Sequence, residues 1–443
     1  MTCFFEAISY LSKMKNDFRQ VPWLTSTNVY EVNLRQYTEE GTLDSFSSHL
    51  SRLQDMGVDV LWFMPITPIS YKNRKGQLGS YYACSSYVRF NPEFGLIDEF
   101  HELVKRAHQL GMKVIIDWVA NHTGCDHEWT NSYPSFYKQN DQGDFYDSHG
   151  WDDVIDLDYA NPQMRLEMIN AMSYWIDQFD IDGFRCDMAM LTPIDFWHQA
   201  RTHLDQKKQL FWLAELDPLD NSSYMEVFDS AYSWRWMNTT KAMKDAGARD
   251  IYSLLSVLEE YSYVLPSSAG LAWFTSNHDE NSWNGTEYEK YGEMAIPLSV
   301  FSALWKGIPL LYSGQEIPNL KRLPFFDKDQ LDWKNNVALH EFYKTLFTFK
   351  KNNAAFNGEL SDVFCHHVHN SVSHHVLSFK RINQFNTIYV VINFSEYALS
   401  NVELGFTDSN GIFYELFTSA EREFNGSFQY VELNPWGYQV WYQ

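Results

Sequence analysis

Along most of the chain one alternation repeats: a short apolar, β-branched run, then an amphipathic stretch with apolar residues every three or four positions. Val29–Leu34 and Val58–Met64 read as strands, with a helical stretch from Leu43 to Met56 between them. Met112–Trp118 is a third strand, preceded by a helix over Asp98–Leu110 and by Gly111, which suits a helix C-terminus. Further strands are expected at Ile181–Cys186, Leu210–Ala214, Val227–Ala231, Ala272–Thr275 and Ile308–Tyr312, with helices over Gln163–Phe179, Asn238–Tyr261 and Glu289–Lys306. Eight strands alternating with helices imply a parallel sheet closed into a (β/α)8 TIM barrel. The rival, an open doubly wound sheet, carries a glycine-rich phosphate turn after its first strand. Here the first strand is followed by Arg35-Gln36-Tyr37-Thr38-Glu39-Glu40-Gly41, so the barrel is favoured.

Two stretches break the rhythm. Residues 121–156 are polar, rich in Asp, Asn, His and Tyr, and too long for an ordinary connection. Following the third strand, they are expected to form a short inserted subdomain at the C-terminal face of a barrel made of residues 1–120 and 157–357. From residue 358 to 443 the helical period gives way to alternating runs such as Val376–Phe379, Thr387–Ile392 and Tyr438–Trp441, which predict a C-terminal antiparallel β-sandwich domain.

Charge narrows the function. Lys plus Arg number 34 against 57 Asp plus Glu, a net charge of −23. Such a surface repels phosphate backbones and anionic lipid, so neither nucleic acid nor membrane is an expected partner. Mean hydropathy is −0.39, and no apolar run reaches the roughly eighteen residues of a membrane span. Glu6 interrupts Cys3-Phe4-Phe5 and no basic flank precedes it, so a secretory signal is not expected. Five scattered cysteines without a C-x-x-C pair suit free thiols in a reducing compartment, so the expected location is cytoplasmic. Aromatic residues make up 17% of the chain; such rings can serve as platforms for sugar faces, but most are expected to be core or interface.

Barrel enzymes carry their reacting groups where strands end at the C-terminal face. Those positions hold Asp117 after strand three, Arg185 and Asp187 at strand four, Glu215 at strand five and His278-Asp279 after strand seven. In Asp182-Gly183-Phe184-Arg185-Cys186-Asp187, strand alternation puts Gly183, Arg185 and Asp187 on one face, so Arg185 can hold Asp187 ionised and oriented. Glu215 follows the apolar Phe211-Trp212-Leu213-Ala214, where desolvation raises a carboxyl's pKa and keeps its proton available. One ionised carboxylate and one protonated acid are the parts of a retaining glycosidase, with an expected separation of about 5–5.5 Å. Asp279 is a third acid, suited to sugar hydroxyls.

Four blocks carry a resemblance to the α-amylase family of glycoside hydrolases: Asp117-Trp118-Val119-Ala120-Asn121-His122, Gly183-Phe184-Arg185-Cys186-Asp187, Glu215 after its apolar strand, and Asn277-His278-Asp279. A weaker fifth is Asp156-Leu157-Asp158. The resemblance implies Asp187 as nucleophile, Glu215 as general acid/base and Asp279 as transition-state stabiliser. It further implies His122 and His278 as hydroxyl contacts, Arg185 as the group orienting Asp187, and Asp117 as its neighbour in the site. Tyr82, within Gly79-Ser80-Tyr81-Tyr82, matches the tyrosine that stacks under the reacting ring, and Asn121 matches a calcium-binding asparagine.

The pattern also departs from the family. Ser85-Ser86-Tyr87 lacks an acid common before the second tyrosine, and Met188-Ala189-Met190-Leu191 replaces a Lys-His pair that binds substrate and helps hold calcium. Asp152, Asp153 and Asp156 offer oxygen ligands, so calcium is the one expected cofactor; no organic cofactor is expected. The dense Cys365-His366-His367-Val368-His369 run, with His374 and His375, fits no zinc spacing and is expected to be a solvated hairpin. The implied activity is retaining hydrolysis of α-1,4 bonds in maltooligosaccharides or starch-derived dextrins. A 4-α-glucanotransferase, an α-1,6-glucosidase or a sucrose- or trehalose-acting relative stays open, as does, more remotely, a non-catalytic sugar-binding barrel.

Overall fold

Eight short strands, each fully or almost fully buried, close on one another in parallel in the computed structural model, which describes residues 18–247, 251–333, 337–356, 364–383 and 386–443. They are β1 (Val29–Val32), β2 (Val60–Phe63), β3 (Lys113–Trp118), β4 (Gly183–Cys186), β5 (Phe211–Ala214), β6 (Ser230–Tyr232), β7 (Gly270–Trp273) and β8 (Ile308–Tyr312). Val29 of β1 pairs with Val60 of β2 on one side and Leu310 of β8 on the other, which closes the ring.

Period-two alternation divides the side chains. Val29, Val60, Trp62, Ile115, Phe211, Leu213, Ile308 and Leu310 fill the barrel interior. Their neighbours Tyr30, Leu61, Phe63, Val114, Ile116, Phe184 and Trp212 pack outward under the helices. Gly183 is required on the inward face: a Cβ there would lie 2.0 Å from the Phe211 carbonyl oxygen, so β4 and β5 approach closely only because the side chain is missing.

Several expected elements are shorter than read. The stretch Leu43–Met56 is two helices, Leu43–Ser47 and Leu50–Asp55. Asn238–Tyr261 is likewise split into Trp234–Asp245 and Ile251–Val264 by a turn at Gly247, whose φ of 84° ends a helix. Glu289–Lys306 resolves into Glu287–Tyr291 and Ala295–Leu304, separated at Gly292 (φ 55°). A helix over Ile194–Leu204 was not anticipated; its Arg201 is wholly buried and pairs with Asp229 at 2.9 Å, so charge interrupts the apolar period. The sixth strand begins three residues later than Val227, because a 3-10 turn over Ser222–Glu226 precedes it.

Beyond β3, His122–Gly124 pairs antiparallel with Val154–Asp156, so both ends of the inserted stretch return to one place above the barrel. The C-terminal part is an antiparallel sandwich. Six strands in the order Phe364–His367, Val376–Ile382, Thr387–Asn393, Tyr438–Tyr442, Asn410–Glu415 and Glu421–Asn425 face a pair, Leu399–Leu404 and Gln429–Leu433. One face of the larger sheet (Tyr389, Val391, Phe413, Phe424) fills the sandwich. The other (Leu377, Phe379, Ile388, Val390, Ile392, Val440) joins the core around the barrel helices. Cys84, Cys125, Cys186 and Cys365 are free thiols. Cys3 and the expected junction at 357–358 lie outside the described residues. Among the described residues no helix is long and apolar enough to cross a membrane.

Candidate active site

The inward rungs of the barrel change character at its C-terminal end. Val29 is followed two residues later by Glu31, Ile115 by Asp117, Gly183 by Arg185 and then Asp187, and Leu213 by Glu215. The alternation that packs the interior therefore aims all five charged groups into the mouth. Arg185 is fully buried at their centre. Its Nη1 donates to Asp117 (2.9 and 3.1 Å) and to Asp187 Oδ1 (2.9 Å), while Nη2 lies 2.8 Å from Glu215 Oε2 without hydrogen-bond alignment. Tyr232 Oη sits 3.4 Å from Arg185 Nε, and the Trp62 ring centroid is 5.0 Å from the guanidinium carbon. Glu215 Oε2 accepts the Met188 N–H at 2.9 Å, which is aimed there by a left-handed Met188 backbone (φ 40°).

Electrostatics set the protonation states. Burial raises Glu215 to about 7, with Arg185 opposing and Asp187 and Asp279 adding to the rise. Burial also raises Asp187 to about 6, because Arg185 only partly offsets the desolvation and Asp117 adds repulsion. Asp117 stands at about 6 for the same leading reason. Arg185 alone therefore does not depress Asp187, as the sequence suggested it would; the pocket is too dry. The ordering survives, with Glu215 the weaker acid.

The histidines differ. Burial lowers His122 to about 4, so it is neutral at pH 7; its ring meets Trp151 edge-on at 5.4 Å. Burial pulls His278 down too, but Asp279 and Glu31 outweigh it and raise it to about 9. Nδ1 of His278 is 2.5 Å from Glu31 Oε1, and Nε2 lies 2.7 Å from the Tyr82 hydroxyl and 3.3 Å from Asp279 Oδ2. Tyr82 donates to Asp117 at 3.0 Å and stacks on His278 with centroids 5.4 Å apart. Asp279 is the most open of the acids, its side chain 38% exposed. All eight anticipated catalytic and substrate-contact residues thus lie at the barrel mouth or its rim. Glu31 was missed. Its signal was present: a lone acid in Val29-Tyr30-Glu31-Val32, two residues after an inward valine.

Calcium at Asn121 does not fit the donors found. The Asn121 carbonyl accepts the Leu157 N–H (3.0 Å) and its Nδ2 meets His122 Nδ1 (3.3 Å). Lys75 pairs with Asp153 at 2.8 Å and Lys138 with Asp156 at 2.9 Å. One Asp156 oxygen has no donor, but the other takes both Lys138 and the Ser148 hydroxyl. Burial alone would raise Asp156; the Ser148 and Lys138 donors outweigh it and hold the carboxyl below its usual range. Ammonium groups thus stand on two of the three carboxylates offered for a divalent cation, Asp153 and Asp156. Chelation with EDTA is therefore expected to leave the melting temperature unchanged, whereas Lys138→Ala costs about 1 kcal/mol; a fall on chelation, reversed by calcium, would argue the opposite. Among the described residues the histidines near Cys365 form no cluster of three ligands. The one such group, Asp55, His340 and Glu341, is largely exposed, and Asp55 is already held by Lys344 at 2.9 Å.

Fold and mouth together define a (β/α)8-barrel glycoside hydrolase. The chain belongs to the alpha-amylase family: the family description "Alpha amylase, catalytic domain" matches residues 25–153 and 137–325. It is 24% identical over 388 residues to Alpha-amylase MalA of Haloarcula japonica, covering 84% of this chain and 56% of that protein's length. Among solved structures it resembles the noncanonic maltogenic alpha-amylase AmyB from Thermotoga neapolitana (28% identity, TM-score 0.84, 95% of this chain and 99% of the other). It also resembles an alpha-amylase from Lactobacillus plantarum (26% identity, TM-score 0.85, 96% and 100%).

Proposed function

We propose that this protein hydrolyses α-1,4-glucosidic bonds in maltooligosaccharides or starch-derived dextrins with retention, through a covalent glycosyl-enzyme. The observation that carries the reading is the single guanidinium of Arg185, which touches Asp117, Asp187 and Glu215 at once and turns two of those carboxyls toward one small volume. A direct attack by Asp187 requires the pair to sit about 5–5.5 Å apart, against about 6.5–9.5 Å where a water attacks instead.

In the first step Asp187 attacks the anomeric carbon while Glu215 gives its proton to the departing glycosidic oxygen. In the second, Glu215 takes a proton from water and the hydroxide displaces Asp187. Charged His278 reaches a hydroxyl of the reacting sugar with the Nε2–H that otherwise rests on the Tyr82 hydroxyl, neutral His122 and Asp279 contact others, and the Tyr82 ring supports the sugar face. Asp279 and Glu31 together keep His278 protonated, and Glu31 holds its Nδ1.

The pH dependence follows with its sign. Asp187 must be ionised, so kcat/KM falls as pH drops below about 6, and Glu215 must be protonated, so it falls as pH rises above about 7. A narrow bell centred between these values is expected, and Glu215→Gln removes the alkaline limb along with most activity on unactivated glucans. An unaltered alkaline limb in that variant would assign the acid elsewhere. The product profile on maltoheptaose tests the reaction itself: shorter products, first released as the α-anomer, fit retaining hydrolysis. Products longer than the substrate would identify a glucanotransferase using the same two carboxylates.

A further inference from the structure

The segment after Asp279 winds as a single wide turn, a π-helix over Glu280–Asn284, that pushes Trp283 out to 53% exposure. An indole so open normally costs solvation, and wide turns of this kind cluster at functional sites. This one is held firmly. Ser282 Oγ donates to the Leu323 carbonyl (2.7 Å), Leu323 N–H donates to Asn281 Oδ1 (2.8 Å) and Asn281 Nδ2 to the Lys321 carbonyl (3.2 Å). The Leu78 N–H in turn donates to the Phe326 carbonyl (3.0 Å), tying the arrangement to the loop that carries Tyr82.

Rings run from the catalytic mouth to this turn without a gap. Tyr82, stacked on His278, lies 6.2 Å from Phe325 at an interplanar angle of 20°. Phe325 in turn lies 5.5 Å from Trp283, and Phe326 meets Trp283 edge-on at 5.8 Å. The inner rings are buried, the next two half-buried, and the last is open. Around the barrel, β7 and β8, which lead into this shelf, are separated from β5 and its Glu215 by β6. The shelf continues the wall of the mouth outward from the reacting ring's own support, Tyr82.

Resting on the proposed α-glucan activity, we propose that Trp283, backed by Phe325 and Phe326, is a stacking platform for a glucosyl unit beyond the reacting ring. The apolar CH face of a pyranose packs on an indole face, and a rigid platform binds it at little ordering cost.

The test compares two substrates: maltoheptaose, long enough to reach the shelf, and α-glucosyl fluoride, which has only the reacting ring. Trp283→Ala is expected to lower kcat/KM for maltoheptaose about tenfold, mostly through KM, and to leave α-glucosyl fluoride turnover unchanged. Trp283→Phe should recover most of the loss. Equal losses on both substrates would make Trp283 a structural cover for Phe325, and no loss on either would remove the shelf from binding; both overturn the proposal. A parent enzyme that turns over neither substrate fails at the proposed activity itself and takes the shelf's ligand with it.

Discussion

Asp187→Asn is expected to lower kcat on maltoheptaose by a factor on the order of 10⁴ or more, because the covalent step loses its nucleophile. The fold should be unharmed. Arg185 keeps Asp117 and Glu215 as partners, so no buried charge is orphaned, and removing one of three crowded carboxylates relieves mutual repulsion. A circular-dichroism melt alongside the kinetics separates the two effects. Substantial turnover by the variant would move the nucleophile away from Asp187, and a collapsed melting transition would make its role structural.

Arg185→Met should act in the opposite manner, on the fold first. The guanidinium is wholly buried and is the cation that Asp117, Asp187 and Glu215 share. Methionine fills much of the volume but returns no charge, which leaves three acids facing one another in a dry pocket. Breaking a buried pair in this way typically costs about 3–5 kcal/mol. The acids would also take up protons, so the variant should be most destabilised at alkaline pH and partly recover as pH falls toward 6. A denaturant titration at two pH values measures both. A variant as stable as its parent at pH 8 would show that Arg185 is not what permits the acids to be buried together.

Much of this site could be read from the chain, since a barrel converts strand period into direction. Once Gly183, Arg185 and Asp187 are placed on one face of β4, their convergence with Asp117 and Glu215 follows from the strand ends alone. What escaped depended on partners distant in sequence. Glu31 acquires meaning only beside His278, 247 residues away. The lysines on Asp153 and Asp156 come from loops whose course no periodicity encodes, and so the chain alone suggested calcium. The raised carboxyl of Asp187 follows from how completely the mouth excludes water, a property of the packed whole. Helix breaks at Gly247 and Gly292 were visible as residues, but the amphipathic pattern resumed beyond them and masked the interruption.

The six-stranded sheet after residue 363 turns Leu377, Phe379, Ile388, Val390, Ile392 and Val440 onto the same apolar mass that the outer helices use. The sandwich is thus an outer wall of the catalytic body. Cutting the chain ahead of Phe364 would strip this covering from Phe301 and Trp305, which pack on Phe379, and leave a sticky flank prone to self-association. Anyone wishing to shorten this enzyme would have to repaint that flank with polar side chains beforehand.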